Sequence, residues 1–211
     1  MKTIISRPEL ATLIGKIQSV VSSKPAIPIL ANVLIEAYNG QLTVSATDLT
    51  VSMRAQMEAH IIEEGAITLP ARRFFQLVRE LTVPEIELSA SGDEIAYIQA
   101  GSSQFRLHGI NKSEFPALPD LTHAHHFSMP AEAFKEMLSK SVFAAAREDS
   151  RHVLNGVLMK VENSNATFIG TDGKRLAKVN TAVDLGSEHK HNYLIPLKAV
   201  EEILKTLDTD A

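Results

Sequence analysis

The polar chemistry of this sequence is concentrated in one short turn. Thr171-Asp172-Gly173-Lys174-Arg175-Leu176 lies between two apolar segments and sets a carboxylate, a glycine and two cations side by side. The stretch 42–54 has the same layout, with Thr47-Asp48 in the leading positions. Asp48 and Asp172 could be imagined as a catalytic carboxylate pair. They occupy equivalent places in two separate parts of the chain, however, and an Asp at the head of a turn ordinarily accepts hydrogen bonds from its own backbone. Self-capping is the expectation for both. The one cluster of metal-ligand composition is His123-Ala124-His125-His126, with Asp120 as the nearby carboxylate. Histidine is a common ligand, yet these rings fall in a polar connecting stretch, where solvated histidines are the simpler reading. The sequence contains no G-x-x-x-x-G-K-[ST], no G-x-G-x-x-G, no G-x-S-x-G and no H-E-x-x-H. No metal or cofactor is expected, and the missing motifs are consistent with a protein that has no catalytic residue.

Composition narrows the classes further. The 211 residues are enough for one large domain or two small ones, and 45% hydrophobic content allows a sizeable core. The net charge of −4 means that any nucleic-acid surface must be a local patch. Without a cysteine there are no disulfides, no thiolate chemistry and no Cys-based zinc sites. The opening MKTIISRPEL lacks the apolar core of a signal peptide, and no apolar run approaches the ~18–20 residues that span a bilayer. The reading is a soluble, cytosolic protein.

The elements that position the turn come from an internal repeat. Shifted by 124, residues 3–54 lie on 127–178 without a gap. Lys16/Lys140, Leu30/Leu154, Val33/Val157, Leu34/Leu158, Thr43/Thr167, Thr47/Thr171 and Asp48/Asp172 coincide, and apolar positions align between them. At a shift of 126, residues 68–81 lie on 194–207. A period this long is a duplicated domain, not a solenoid. In the first copy Ser6-Arg7-Pro8-Glu9 reads as a capping box opening a helix with Leu10, Leu13, Ile14, Ile17 and Val21 on one stripe. Apolar segments 29–37 and 41–46 follow, then alternation from Val51 to Met57 as a half-buried strand. Pro70 opens a second helix with Phe74, Leu77, Val78 and Leu81 on one face, and strands are expected at 86–90, 94–99 and 103–108. The stretch 111–130, rich in Pro, His and polar residues, reads as the joint. The divisions are a first domain at 1–120, a linker at 121–128 and a second domain at 129–211. The last three strands of the first copy have no counterpart before Ala211, which would leave an unpaired edge. The chain is therefore expected to be a fragment of a longer protein.

On the residues KPAIPILANVLIEA (24–37), LPARRFFQLVREL (69–81), SEFPALPD (113–120), RHVLNGVLMKV (151–161) and TDGKRLA (171–177), the whole chain resembles the bacterial DNA polymerase III beta subunit family of replicative sliding clamps. The resemblance implies an α+β fold of duplicated clamp domains. Each copy packs two helices on antiparallel sheets, with the second copy truncated and the third domain absent here. It implies a non-catalytic processivity factor: a head-to-tail homodimeric ring around duplex DNA that tethers polymerase and is opened by a clamp loader.

The resemblance also assigns roles. Lys24 and Arg72 match DNA-contacting basic positions, and Arg73 shares the basic helix face. Arg151 and His152 sit where the second domain is expected to approach DNA, although Glu148 beside them should repel phosphate. Phe105 and Leu107 share one face of the strand at 103–108, the edge implied to meet a partner chain. Leu154, Thr171, Gly173, Lys174, Arg175 and Leu176 match the pocket that receives short, partly apolar partner peptides. Lys174 departs from the His of many members. Two other readings remain open from the residues alone: a metal-dependent hydrolase using His123–His126, and a two-domain interaction module without a DNA role.

Overall fold

The computed structural model describes residues 1–22, 25–92, 94–120, 122, 128–162, 164–183 and 190–209. The chain forms two compact units, Met1–Pro119 and Asp120–Ala211. The first unit opens with strand β1 (Lys2–Ser6), which leads directly into helix α1 (Arg7–Ile17). The capping box expected at Ser6 and Glu9 does not form, since the Ser6 side chain makes no cap bond. Ser6 is instead the end of a ladder opposite Glu85, and the first helical amide, of Arg7, donates to the Pro84 carbonyl at 2.9 Å. Pro8 has no N–H to satisfy, so two positions of the helix start need no side-chain acceptor. Leu10, Leu13, Ile14 and Ile17 of the expected stripe are buried on α1, whereas Val21, expected on the same stripe, is buried beyond the helix, which ends at Ile17.

The segment expected as a strand from residue 29 begins instead with a 3-10 turn, Pro28–Ala31, before β2 (Asn32–Tyr38). β2 and β3 (Gln41–Thr47) form a hairpin closed by Asn39 and Gly40, at φ of 52° and 75°. A two-residue turn that follows the strand twist requires such positive angles. β4 (Ser52–Glu58) alternates exposed and half-buried positions, as expected. β5 (His60–Glu63) and β6 (Gly65–Pro70), like β1, are additional strands. Pro70 closes β6, α2 (Ala71–Glu80) starts at the next residue, and Leu81 is already extended. β7 (Glu85–Ser91), β8 (Ile95–Ala100) and β9 (Ser103–His108) meander close to the expected limits.

Two antiparallel sheets result, ordered β5-β1-β7-β8-β9 and β4-β3-β2-β6. Their apolar faces and the two helices share one core that includes Ile5, Leu10, Leu42, Phe74 and Ile86. Gly15 lets the helices meet: a Cβ there would lie 3.2 Å from the Phe75 ring. Residues 111–118, in the stretch read from sequence as the joint though inside the first domain at 1–120, belong to this unit. Ile110 bridges Thr68 of β6, and Phe115 is buried against Ile29 and Leu30, with Leu118 packed beside them. Three apolar side chains in an otherwise polar stretch hold it down.

In the second unit, α3 (Ala131–Val142) leads to β10 (Gly156–Glu162), β11 (Asn165–Thr171), β12 (Leu176–Ala182), β13 (His191–Pro196) and α4 (Leu197–Thr209). Adding 124 to the limits of β2, β3 and β4 gives those of β10, β11 and β12, and adding 126 to β6 gives β13. The sheet order β12-β11-β10-β13 reproduces β4-β3-β2-β6. The core gathers Leu138, Val157, Phe168 and Val200, with Phe134 edge-on to Phe168 at 5.8 Å between centroids. One difference lies at the β13 edge. Leu194 is 44% exposed, whereas Thr68 at the equivalent place is buried and bonded to Ile110.

Candidate partner turn and basic helix face

The turn between β11 and β12 is held by its own side chains. Thr171 Oγ1 accepts from the Gly173 amide at 3.1 Å and donates to the Arg175 carbonyl at 2.7 Å. Asp172 Oδ1 accepts from the amides of Lys174 and Arg175 at 3.0 and 2.9 Å, and its Oδ2 accepts from Arg175 Nε at 3.0 Å. These amides, then the Arg175 side chain, hold the Asp172 carboxyl below its ordinary value. The first unit repeats the pattern position for position. Thr47 Oγ1 bonds the Leu49 amide and the Val51 carbonyl, and Asp48 Oδ1 accepts from the amides of Thr50 and Val51. Each Asp thus caps its own turn, as expected, and is occupied there. The third position is left-handed in both, with Leu49 at φ 73° and Gly173 at φ 83°.

The second unit adds chemistry around this frame. Arg151 makes a two-pronged bond to Asp149, Nε to Oδ1 at 2.9 Å and Nη2 to Oδ2 at 2.8 Å, and its amide also donates to Oδ1 at 2.8 Å. The Arg151 side chain and amide lower the Asp149 carboxyl to about 2. The guanidinium lies against Gly173, where a Cβ would come within 3.3 Å of Nη2. Arg175 sits 5.9 Å above the ring of Phe143, which is 60% exposed. Behind the turn, Val142, Phe143, Arg147, Arg175, Leu197 and Leu204 line a groove of about 640 Å³. Leu176 starts β12 opposite Thr171 and is 64% exposed, while Leu154 is half-buried in the 3-10 turn His152–Leu154. The turn therefore gathers Thr171, Gly173, Lys174, Arg175 and Leu176, and the Arg151 side chain reaches it from the 149–155 loop.

The basic positions behave differently from one another. Arg72 and Arg73 are exposed on α2, on the side away from buried Phe74 and Val78, with no ion-pair partner among the described residues. Arg79 is engaged by Glu80 at 2.9 Å and lies over Phe75. Arg7 is half-buried, with its Nε unbonded among the described residues. Lys24 lies outside the described residues, as do His123, His125 and His126. Arg147 approaches Glu201 at 3.8 Å and His152 is exposed. On β9, Phe105 and Leu107 are half-buried and pack on the first unit's core, and the strand's outer edge pairs with no other strand among the described residues. Sequence reasoning did not identify the Asp149–Arg151 fork or its brace, Asn155, which accepts from the Asp149 amide at 3.1 Å and donates to its carbonyl at 3.0 Å. The Asp-x-Arg spacing was the available signal, since an Asp commonly caps the amide two residues on.

Two copies of one helix-and-sheet plan, antiparallel throughout and sharing one self-capped turn, define a duplicated α+β fold of the DNA clamp class. The DNA polymerase sliding clamp of Bacillus subtilis superposes with a TM-score of 0.94 at 28% identity, over 97% of this chain and 56% of that one. The Beta sliding clamp of Chlamydia pneumoniae is 53% identical over 205 residues, 97% of this chain and 56% of the relative. That of Escherichia coli is 31% identical over 99% of this chain and 57% of the relative. Residues 1–119 match the DNA polymerase III beta subunit N-terminal domain, and residues 128–211 match its central domain. The chain belongs to the DNA polymerase III beta subunit family. It spans just over half the length of these curated relatives.

Proposed function

We propose that this chain supplies the first clamp domain, residues 1–120, and part of the second, residues 129–211, of a replicative sliding clamp. The clamp is a non-catalytic cytoplasmic processivity factor that encircles duplex DNA. The observation that carries the reading is the pair of exposed guanidinium groups, Arg72 and Arg73, without an ion-pair partner among the described residues, on a helix of a chain matched along both units by the clamp family. Guanidinium groups attract phosphate without reading bases, so successive registers on DNA are nearly equivalent, as sliding requires. Lys24 joins them in this reading. Arg151 contributes less, because Asp149 neutralises it.

The turn 171–176, with Leu154, is the docking point for short peptides of DNA polymerase III and other clamp-binding proteins. Its exposed Leu176 provides apolar contact, and Lys174 and Arg175 provide donors. The outer edge of β9, unpaired among the described residues and with Phe105 and Leu107 behind it, is the surface for a second copy, and a clamp loader opens the ring. Neither the metal-dependent hydrolase nor the free-standing module gains support from the family match. The complete clamp carrying this sequence should stay on a circular duplex after loading and leave when the circle is cut. Equal loss from intact and cut circles would refute the reading. Leu176→Ala in that clamp should weaken capture of a polymerase-tail peptide.

A further inference from the structure

We propose that Asp149 is a positioning residue for partner-peptide binding: it fixes the Arg151 guanidinium across the face of Gly173, where it donates to a carbonyl oxygen of the bound peptide. This rests on the reading of turn 171–176 as the peptide site. The geometry supplies the argument. A guanidinium carries five N–H donors. The fork to Asp149 uses Nε–H and one Nη2–H, leaving three directed elsewhere. Nη2 and Nη1 lie 3.3 and 3.5 Å from where a Cβ on Gly173 would be, so the absent side chain is the space that the guanidinium fills. Asp149 is itself fixed, because Asn155 grips its amide and its carbonyl. The Asp149 side chain is 21% exposed and that of Arg151 62%, so the anchor is sheltered and the donor group faces solvent. A long side chain held in one geometry before binding does not lose its rotamer freedom on binding.

Asp149→Asn separates positioning from architecture. The amide oxygen can still accept from the Arg151 amide and Nε, which keeps the local turn, but the second prong to Nη2 is lost. The test is titration of the complete clamp carrying this sequence with a fluorescent synthetic polymerase-tail peptide, followed by anisotropy. Asp149→Asn should keep the wild-type circular dichroism at neutral pH, with any fall in melting temperature confined to the loss of the carboxylate's own contribution, and bind about two- to tenfold more weakly, the penalty of ordering one long side chain. In an Arg151→Ala background the same substitution should have no further effect. Wild-type affinity in Asp149→Asn, or an equal loss with Arg151 absent, would overturn the positioning role while leaving the docking site intact. No binding of the peptide by the complete wild-type clamp would overturn the docking site itself, and the positioning role with it.

Discussion

At the scale of single residues, the two turns form a natural comparison. Both place their third residue in the left-handed region, but one uses Leu49 and the other Gly173. That conformation costs a side-chain-bearing residue about 1–2 kcal/mol, partly offset by the lower entropy of its unfolded chain. Gly173→Ala should therefore destabilise the second unit by about 1 kcal/mol in denaturant titration, and it would also displace the Arg151 guanidinium. Leu49→Gly should stay within about 0.5 kcal/mol of wild type, since relief of strain and loss of rigidity oppose each other. Equal effects at both positions would contradict the account. Asp149 gives a pH prediction. Its folded value of about 2 lies below the ordinary carboxylate value, so its contribution is complete above about pH 4 and disappears as pH falls towards 2. Acid unfolding followed by circular dichroism should show this loss in the wild type and a flatter limb in Asp149→Asn.

At the scale of elements, what binds 110–118 to the first unit is side-chain burial. Phe115 is 8% exposed among Ile29, Leu30 and Leu118. Phe115→Ala should cost about 3 kcal/mol and open this segment to limited proteolysis before the rest of the unit. Cleavage at the wild-type rate would show that the backbone bridge at Ile110 suffices. The same segment shows where sequence reading succeeded and where it stopped. The stripes of α1 and α2 were legible because a helix repeats its buried face every three to four residues, and β4 was legible because Met53, Ala55 and Met57 alternate over seven residues. β1, β5 and β6 were not, since each is short and owes its pairing to strands far along the chain. The capping box failed for a related reason: the acceptor that replaces it, Pro84, is remote in sequence from Arg7. The Thr-Asp frame of the site was visible by sliding the chain on itself. The fork from Asp149 to Arg151 was not, because a two-residue spacing does not reveal which oxygen a guanidinium reaches.

At the scale of the molecule, duplication explains the economy of the fold. The two units share helix starts, the order of the four-stranded sheet and the self-capped turn, and they differ in what is exposed on that frame. The first presents Arg72 and Arg73 on α2; the second presents Leu176, Lys174 and the Arg151 fork around Gly173. A chain of net charge −4 can associate with DNA only through such local concentration of cations. The central claim is that this concentration serves contact with phosphate and not with bases. The most direct measurement is the salt dependence of duplex binding by this chain, on several unrelated sequences, before and after combined Arg72→Glu and Arg73→Glu. The account predicts equal affinity across sequences, weaker binding by the double variant, and a slope of log K against log salt shallower by about 2. Affinity that depends on sequence, or a slope unchanged by the double reversal, would contradict it.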